Sequence, residues 1–261
     1  MILVFGSNGQ LGKTLKLTIP YNLETKFFNK QECDISNYIK LKNIIKKYKP
    51  KFIINAAAYT DVGNAEINVN YSNKINFIFL KNFSKLSYKY KFLIIHISTD
   101  YVFDGYNKNS YYEKNITNPL SVYGQSKLMG ENEIINNSYK FIIIRVSGLF
   151  SHFKSSFLSK ILVNGMNNNR INIVDDQICY PTYSFDLARI LWLIVTNNSN
   201  IKSNELYHYT GHEKPISWFN FAKLIFKYSK KYINTKTMIK PIKSNQLNET
   251  VRRPKNSCLN N

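Results

Sequence analysis

Short apolar runs alternate with amphipathic stretches over the first 150 residues. The run "ILVF" (2–5) is apolar, partly β-branched and stopped by a glycine, so it predicts a buried strand. "QLGKTLKL" (10–17) carries helical spacing, and "TKFF" (25–28) predicts a second strand. Over 36–50, Ile39, Leu41, Ile44, Ile45 and Tyr48 fall near helical periods, with Ser36 placed to cap the start and Pro50 beyond the end. "KFIINAAA" (51–58) predicts a strand running into small residues, and 70–90 a helix. "FLIIHIST" (92–99) is a further buried strand, 119–137 a helix with Pro119 near its start, and "KFIIIRVS" (140–147) a strand. Strands alternating with helices in this way mean βαβ units, so the expected class is α/β, a Rossmann-type doubly wound parallel sheet.

Past residue 150 the alternation loosens. "INIVDDQICYPT" (171–182), a helix around 184–196, "ELYHYT" (205–210) and a helix at 216–230 predict a smaller C-terminal substrate-binding lobe at the sheet's carboxyl edge. "NGMNNNR" (164–170) reads as an asparagine-rich turn. The expected division is a dinucleotide-binding domain over 1–150 and a substrate lobe over 151–261, interleaved with the first.

The segment "FGSNGQLG" (5–12) follows the first strand and opens the first helix. Gly6, Gly9 and Gly12 allow a tight turn and let a pyrophosphate approach backbone amides at a helix N-terminus. Such a loop can also serve packing alone, but its place in a βαβ unit favours dinucleotide binding. The second strand ends "FFNK" (27–30), with Lys30 where a ribose-binding carboxylate would favour NAD. That points to NADPH, with NADH as the alternative. In "CDIS" (33–36), Asp34 and Ile35 can hold an adenine by a hydrogen bond and an apolar contact. Asp34 reads equally well as a helix cap.

Tyr123 and Lys127 stand four positions apart in "SVYGQSKLMG" (121–130), which stacks them on one helix face. One reading is a pair of surface side chains. The other is a cation that lowers the phenol's pKa from its usual value of about 10 so that it trades a proton with a substrate. The preceding strand favours chemistry, because it delivers Ser98, Thr99 and Asp100 to the edge where open parallel sheets bind ligands. Thr99 is then expected to hydrogen-bond a carbonyl oxygen and Tyr123 to donate a proton as hydride reaches carbon. Lys127 tunes the phenol and holds the nicotinamide ribose.

Charge and composition restrict the partners. The chain of 261 residues carries a formal net charge of +20, yet its lysines are scattered and mark no basic stripe or recognition helix. A nucleic-acid partner is not expected; the excess suits a small anionic substrate. No apolar run reaches roughly 18 residues, and the start "MILVFGSNGQLG" lacks a basic leader, so no membrane span and a cytoplasmic location are expected. Cys33, Cys179 and Cys258 have no metal-ligand or disulfide spacing.

These motifs resemble the extended short-chain dehydrogenase/reductases, and within them the dTDP-4-dehydrorhamnose reductases. The likeness rests on "FGSNGQLG", "NAAAYTDVGNAE" (55–66), "ISTDYVFDG" (97–105), "NPLSVYGQSKLMGE" (118–131), "DDQICYPT" (175–182) and "RRPKNSCLN" (252–260). It implies NADPH-dependent reduction of the 4-keto group of dTDP-4-dehydro-6-deoxy-L-mannose to dTDP-L-rhamnose, for surface polysaccharide such as O-antigen, by a monomer or homodimer. It implies catalysis by Thr99, Tyr123 and Lys127. Besides Tyr123, Lys127, Gly6, Gly9 and Gly12, it implies cofactor contacts at Gln10, Leu11, Ala57, Ala58 and Tyr59. It also implies substrate contacts at Thr99, Asp100, Gly148, Gln177 and Arg253.

Asp100 is followed by Tyr101, so the Asp-Glu pair of sugar-nucleotide dehydratases is missing. Relatives carry a tryptophan that packs on the sugar where this chain has Gly148. Gly63 and Asn64 replace an Asp-Lys pair, and relatives continue past "CLNN" into a last helical segment, so a shortened lobe is expected. Some members bind magnesium through glutamates at positions matching Thr14 and Phe185, so no metal is expected here. Two other readings compete: a non-catalytic NADP-binding regulatory subunit of the same family, and a reductase or epimerase of another nucleotide sugar.

Overall fold

The structure is a computed structural model that describes residues 1–153, 156–197, 200–211, 214–233, 237–247 and 251–261. Its first half alternates as β1 (Ile2–Phe5), α1 (Gln10–Leu17), β2 (Thr25–Phe28), α2 (Tyr38–Tyr48), β3 (Phe52–Asn55), α3 (Val62–Ile67), α4 (Val69–Asn73), α5 (Phe79–Tyr90), β4 (Leu93–Thr99), α6 (Val122–Asn137) and β5 (Lys140–Val146). Then come α7 (Phe157–Asn167), β6 (Arg170–Val174), β7 (Ile178–Cys179), α8 (Ser184–Thr196), β8 (Glu205–Tyr209), β9 (Ile216–Ser217), α9 (Trp218–Ser229) and β10 (Met238–Ile242).

Six strands form one sheet in the order β2-β1-β3-β4-β5-β8, every pair parallel. Parallel strands need helices on both faces, so they read as continuous apolar runs. All four residues of β1 are buried. One face packs Leu3, Phe5, Ile53 and Ile94 against Leu41, Ile45, Phe79 and Phe83 of α2 and α5. The other packs Val4, Ile54, Ile95 and Ile144 against Leu11 and Leu15 of α1 and Leu187 and Leu191 of α8. The chain reverses direction across the sheet between β1 and β3, and this switch point opens a crevice at the strands' carboxyl ends.

Four local expectations need correction. "ELYHYT", expected in the smaller lobe, joins β5 as the sixth strand of the main sheet, Ile142 opposite Glu205 through Val146 opposite Tyr209. Helix α8, expected in the same lobe, lies on α1, with Thr14 Oγ1 2.9 Å from Ser184 Oγ and Trp192 Nε1 donating to Thr18 Oγ1 at 3.1 Å. Asn37, not Ser36, caps α2 by accepting from the Lys40 amide. Residues 164–167 continue α7, which leaves only 168–169 between it and β6. The remaining elements gather around a small core of Ile161, Ile171, Ile173, Ala222, Ile225 and Phe226. There β6 pairs with β10, and β7 with β9.

The helix predicted over 70–90 holds a π-turn at Lys74–Ile78 between α4 and α5. One residue more per turn swings Asn76 inward. Its Oδ1 accepts from the Tyr59 amide at 2.9 Å, and its Nδ2 donates to Tyr59 O and to Ser126 Oγ at 3.0 Å each.

Against the sheet, α6 buries an ion pair. Arg145 Nε donates to Glu131 Oε1 at 2.9 Å and Nη2 to Oε2 at 2.6 Å, with 4% and 1% of the two side chains exposed. Removing one partner strands the other charge out of water, which costs about 3–5 kcal/mol. Arg145→Met is therefore expected to lower the unfolding free energy by about that amount, and adding Glu131→Leu to recover most of it. Urea denaturation of the single and double variants checks both outcomes.

Candidate active site

The glycine loop leaves β1 with Gly6 at φ +87°, and the Gly6 and Ser7 amides donate to Phe28 O at 3.0 and 3.1 Å. The Gly9 amide closes the turn onto Gly6 O at 3.0 Å, and α1 begins at the next residue. A cavity of about 230 Å³ opens above it, at the switch point. Gly6, Gly9, Lys30, Asp34, Ile35, Ala57, Ala58 and Tyr59 meet in its lining. Asn8, Asn29 and Tyr71 join them, and nothing in the sequence pattern marked these three. Tyr71 OH accepts from Lys30 Nζ at 2.8 Å, across a gap of 41 residues.

Gln10, Leu11 and Gly12 are absent from this lining. The Gln10 amide ties α1 to the loop after β5, donating to Leu149 O at 3.2 Å and accepting from Ser151 Oγ at 3.0 Å. Leu11 packs in the core, and Gly12 presses against the Gly6 carbonyl. Asp34 neither caps a helix nor stands open. Its Oδ1 accepts from the Ser36 amide and hydroxyl at 2.9 and 2.8 Å. Burial pushes this carboxyl up, but those two hydrogen bonds outweigh it, Lys30 and Lys74 add to them, and the net shift is downward.

Thr99 closes β4, and Tyr123 and Lys127 stand one turn apart on α6. Ser121 caps this helix, its Oγ accepting from the Gly124 amide at 3.1 Å; Pro119 lies before the cap. Tyr123 and Lys127 are both buried, which excludes the surface-pair reading. The expected tuning of the phenol by Lys127 needs correction. Lys127 Nζ turns to the sheet, donating to Ile97 O at 2.7 Å and lying 3.1 Å from His96 Nε2. Burial pushes the Tyr123 phenol above its usual range, Asp100 and Tyr101 push the same way, and a hydrogen bond with Thr99 opposes them. Desolvation prevails, so Tyr123 holds its proton through neutral pH. Burial also brings the Lys127 ammonium down to about 8, against the pull of Glu131.

Asp100 faces inward. Its Oδ1 accepts from Thr99 Oγ1 at 3.0 Å and its Oδ2 from Ser147 Oγ at 2.7 Å, and Ser257 adds a third hydroxyl. It clamps the ends of β4 and β5 to the segment before Cys258. Gln177 and Arg253 line a separate cleft of about 810 Å³ with Asp104, Asp176, Lys243, Arg252 and Lys255. Arg253 Nη1 reaches Tyr101 OH at 3.5 Å, and the Tyr101 ring meets the Tyr123 ring edge to face at 5.7 Å, so this cleft adjoins the phenol.

The family model described as "RmlD substrate binding domain" matches residues 1–261. The chain belongs to the dTDP-4-dehydrorhamnose reductase family. It is 36% identical to the dTDP-4-dehydrorhamnose reductase of Aggregatibacter actinomycetemcomitans, over 99% of this chain and 90% of that protein. The crystal structure of the Bacillus anthracis dTDP-4-dehydrorhamnose reductase in complex with NADP superposes with a TM-score of 0.92 at 31% identity, covering 99% and 89% of the two chains. An orthologue from Clostridium acetobutylicum gives 0.91 at 32%, covering 100% and 90%. Family membership makes the chain an oxidoreductase with a Rossmann-type fold.

Three positions that the resemblance singles out have a structural setting. Thr14 spends its hydroxyl on Gln10 O and Ser184 Oγ, and Phe185 stacks between His152 and Tyr183. Gly148 has φ +54°, and a Cβ there would stand 3.2 Å from Cys179 Sγ and 3.4 Å from Trp218 Cη2. An indole thus borders the Gly148 position from the start of α9, although it lies far off in sequence.

The loop glycines are not equivalent. A Cβ on Gly12 would stand 2.2 Å from Gly6 O, whereas one on Gly9 would stand 3.3 Å from the same atom. Gly12→Ala is expected to cost at least about 1–3 kcal/mol of stability and to lower Tm by several degrees. Gly9→Ala should cost less, under about 1 kcal/mol, and lower Tm by no more than about 3 degrees. Thermal melts followed by circular dichroism check the contrast.

Proposed function

We propose that this reductase transfers hydride from NADPH to the 4-keto carbon of dTDP-4-dehydro-6-deoxy-L-mannose, giving dTDP-L-rhamnose and NADP⁺. The observation that carries the reading is the meeting of Thr99 and Tyr123 at the carboxyl edge of the sheet, beside a glycine-loop cleft at the switch point. The cleft fits a dinucleotide: α1 begins at its lining with Gly9, which carries no Cβ, so the positive end of the helix lies toward an anion, and Ile35 and Ala57 supply apolar walls.

The cofactor, when bound, supplies the hydride. Thr99 Oγ1 turns its one proton from Asp100 to the substrate carbonyl oxygen, and the protonated Tyr123 gives that oxygen its proton as carbon is reduced. The phenol's raised proton affinity keeps the acid loaded at neutral pH. Lys127 holds the nicotinamide ribose. Lys243, Arg252, Arg253 and Lys255 favour a pyrophosphate in the larger cleft, and Gln177 fixes the substrate's orientation. Asp100 acts by positioning Thr99. Such chemistry belongs inside the cell, and we place the enzyme in the cytoplasm; a monomer or homodimer suffices.

The test is NADPH consumption with dTDP-4-dehydro-6-deoxy-L-mannose. Tyr123→Phe keeps the ring and loses the proton, so kcat is expected to fall by about 10²–10⁴ with NADPH affinity unchanged. Wild-type turnover in this variant would overturn the assignment. Failure of the parent chain to turn over while still binding NADPH would favour the non-catalytic regulatory reading.

The preference for NADPH rests on Lys30 and on Asn8 and Asn29 in the cleft lining, where a 2′-phosphate would find donors. Glu32 is engaged with the Asn29 amide at 2.8 Å. Lys30→Met is expected to weaken NADPH by about tenfold and leave NADH unchanged. Fluorescence titration with each nucleotide reads the difference.

A further inference from the structure

Behind Lys127 lies a buried row of three side chains. Asn55 on β3 and His96 on β4 are register partners, so their side chains stand side by side on one face of the sheet. Asn55, His96 and Lys127 are each only 1% exposed. Asn55 Nδ2 lies 3.0 Å from His96 Nδ1, and His96 Nε2 lies 3.1 Å from Lys127 Nζ.

The donors and acceptors in this row can be counted. The Ala57 backbone amide, which can only donate, points at Asn55 Oδ1 at 3.2 Å. That fixes the Asn55 amide with its NH₂ toward the imidazole. His96 Nδ1 must therefore accept, and a neutral ring then carries its proton on Nε2. An ammonium has three donors and no acceptor, so a charged Lys127 would set N–H against N–H. A neutral amine has a lone pair. It accepts from His96 Nε2 and still donates to Ile97 O at 2.7 Å. A charged imidazolium fares worse, because it would set a second donor against Asn55.

The charged groups around the row leave this count unchanged. Glu131, one turn along α6, has both oxygens bound by Arg145 of β5. On the other side of Lys127, Tyr123 is protonated and Asp100 is held by the hydroxyls of Thr99, Ser147 and Ser257.

We infer that His96, oriented by Asn55, is a positioning residue that stabilises the neutral amine of Lys127 over the ammonium in the cofactor-free protein. Burial, the larger cause, holds the His96 ring below its usual proton affinity, in agreement with a neutral imidazole. The consequence deepens the proposed function and rests on it. When ribose hydroxyls draw Nζ off His96, the amine becomes free to take a proton from solvent, so cofactor binding takes up a proton above pH 8.

The sign follows from the two states. Burial holds the free-protein Lys127 at about 8, and hydrogen bonds to ribose hydroxyls in place of His96 would return it toward its ordinary 10.5. Uptake therefore approaches one proton between those values and vanishes below about pH 7.

The experiment labels lysine with ¹³C at Cε and follows the Lys127 signal, identified by its loss in Lys127→Met, against pH in the cofactor-free protein. The wild-type midpoint should lie near 8. His96→Gln offers Lys127 an amide oxygen. Asn55→Leu frees Nδ1 to carry the ring proton, so Nε2 accepts. Both should raise the midpoint by about one pH unit or more, a tenfold or greater change in proton affinity. Asn55→Leu is decisive, because it makes the site more apolar, and burial alone would lower the midpoint. An unchanged or lower midpoint in the folded variants, or a wild-type midpoint at the ordinary lysine value, overturns the inference. If one variant fails to fold, the other still decides. NADPH titration of the same samples separates the two readings: a wild type that fails to bind NADPH sinks the proposed function and leaves the Lys127 titration to stand or fall alone.

Discussion

A helix that buries polar side chains must find each of them a partner, because an unmatched buried donor or acceptor costs about 1–3 kcal/mol. Helix α6 accepts that constraint along its whole inner face. Tyr123 meets Thr99, Ser126 meets Asn76 and Ser72, Lys127 meets Ile97 and His96, and Glu131 meets Arg145. The partners come from β4, β5, α4 and the π-turn, so the helix can sit in only one register against the sheet. The candidate active site is one end of this matching, where a buried phenol meets the Thr99 hydroxyl at the tip of β4.

Local signals carried much of this into the sequence. The glycine loop after "ILVF" and the apolar runs of the central strands have periods and caps that depend on neighbours within a few residues. The four-residue spacing of Tyr123 and Lys127 is equally local, and it correctly announced one shared face. What such spacing omits is direction. Lys127 could have turned to the phenol, and only the fold shows it turned to β4, where burial rather than a cation governs Tyr123. The cap of α2 moved by one residue because Asp34 took the Ser36 hydroxyl first.

Non-local partners were the rest. Nothing in "ELYHYT" says that β5 lies beside it, since edge strands of a sheet and of a lobe share one pattern. His96 and Asn55 lie in separate strand runs, and their pairing exists only in the register of β3 on β4. Tyr71 and Trp218 reach their sites from elements that the sequence keeps far apart. The large positive charge, diffuse along the chain, becomes specific where Lys243, Arg252, Arg253 and Lys255 converge on one cleft.

The π-turn at Lys74–Ile78 pushes the Asn76 carbonyl toward α6, and a Cβ on Gly130 would stand 2.2 Å from that oxygen. A π-turn is a helix carrying one surplus residue. The surplus residue and the missing side chain are therefore halves of one arrangement. Deleting a residue from 74–78 would rotate Asn76 away and open a void over Gly130, while enlarging Gly130 first would force α6 off the sheet. Neither change is tolerable alone, so the two positions are tied to vary together, and a lineage that leaves this geometry must cross both steps at once.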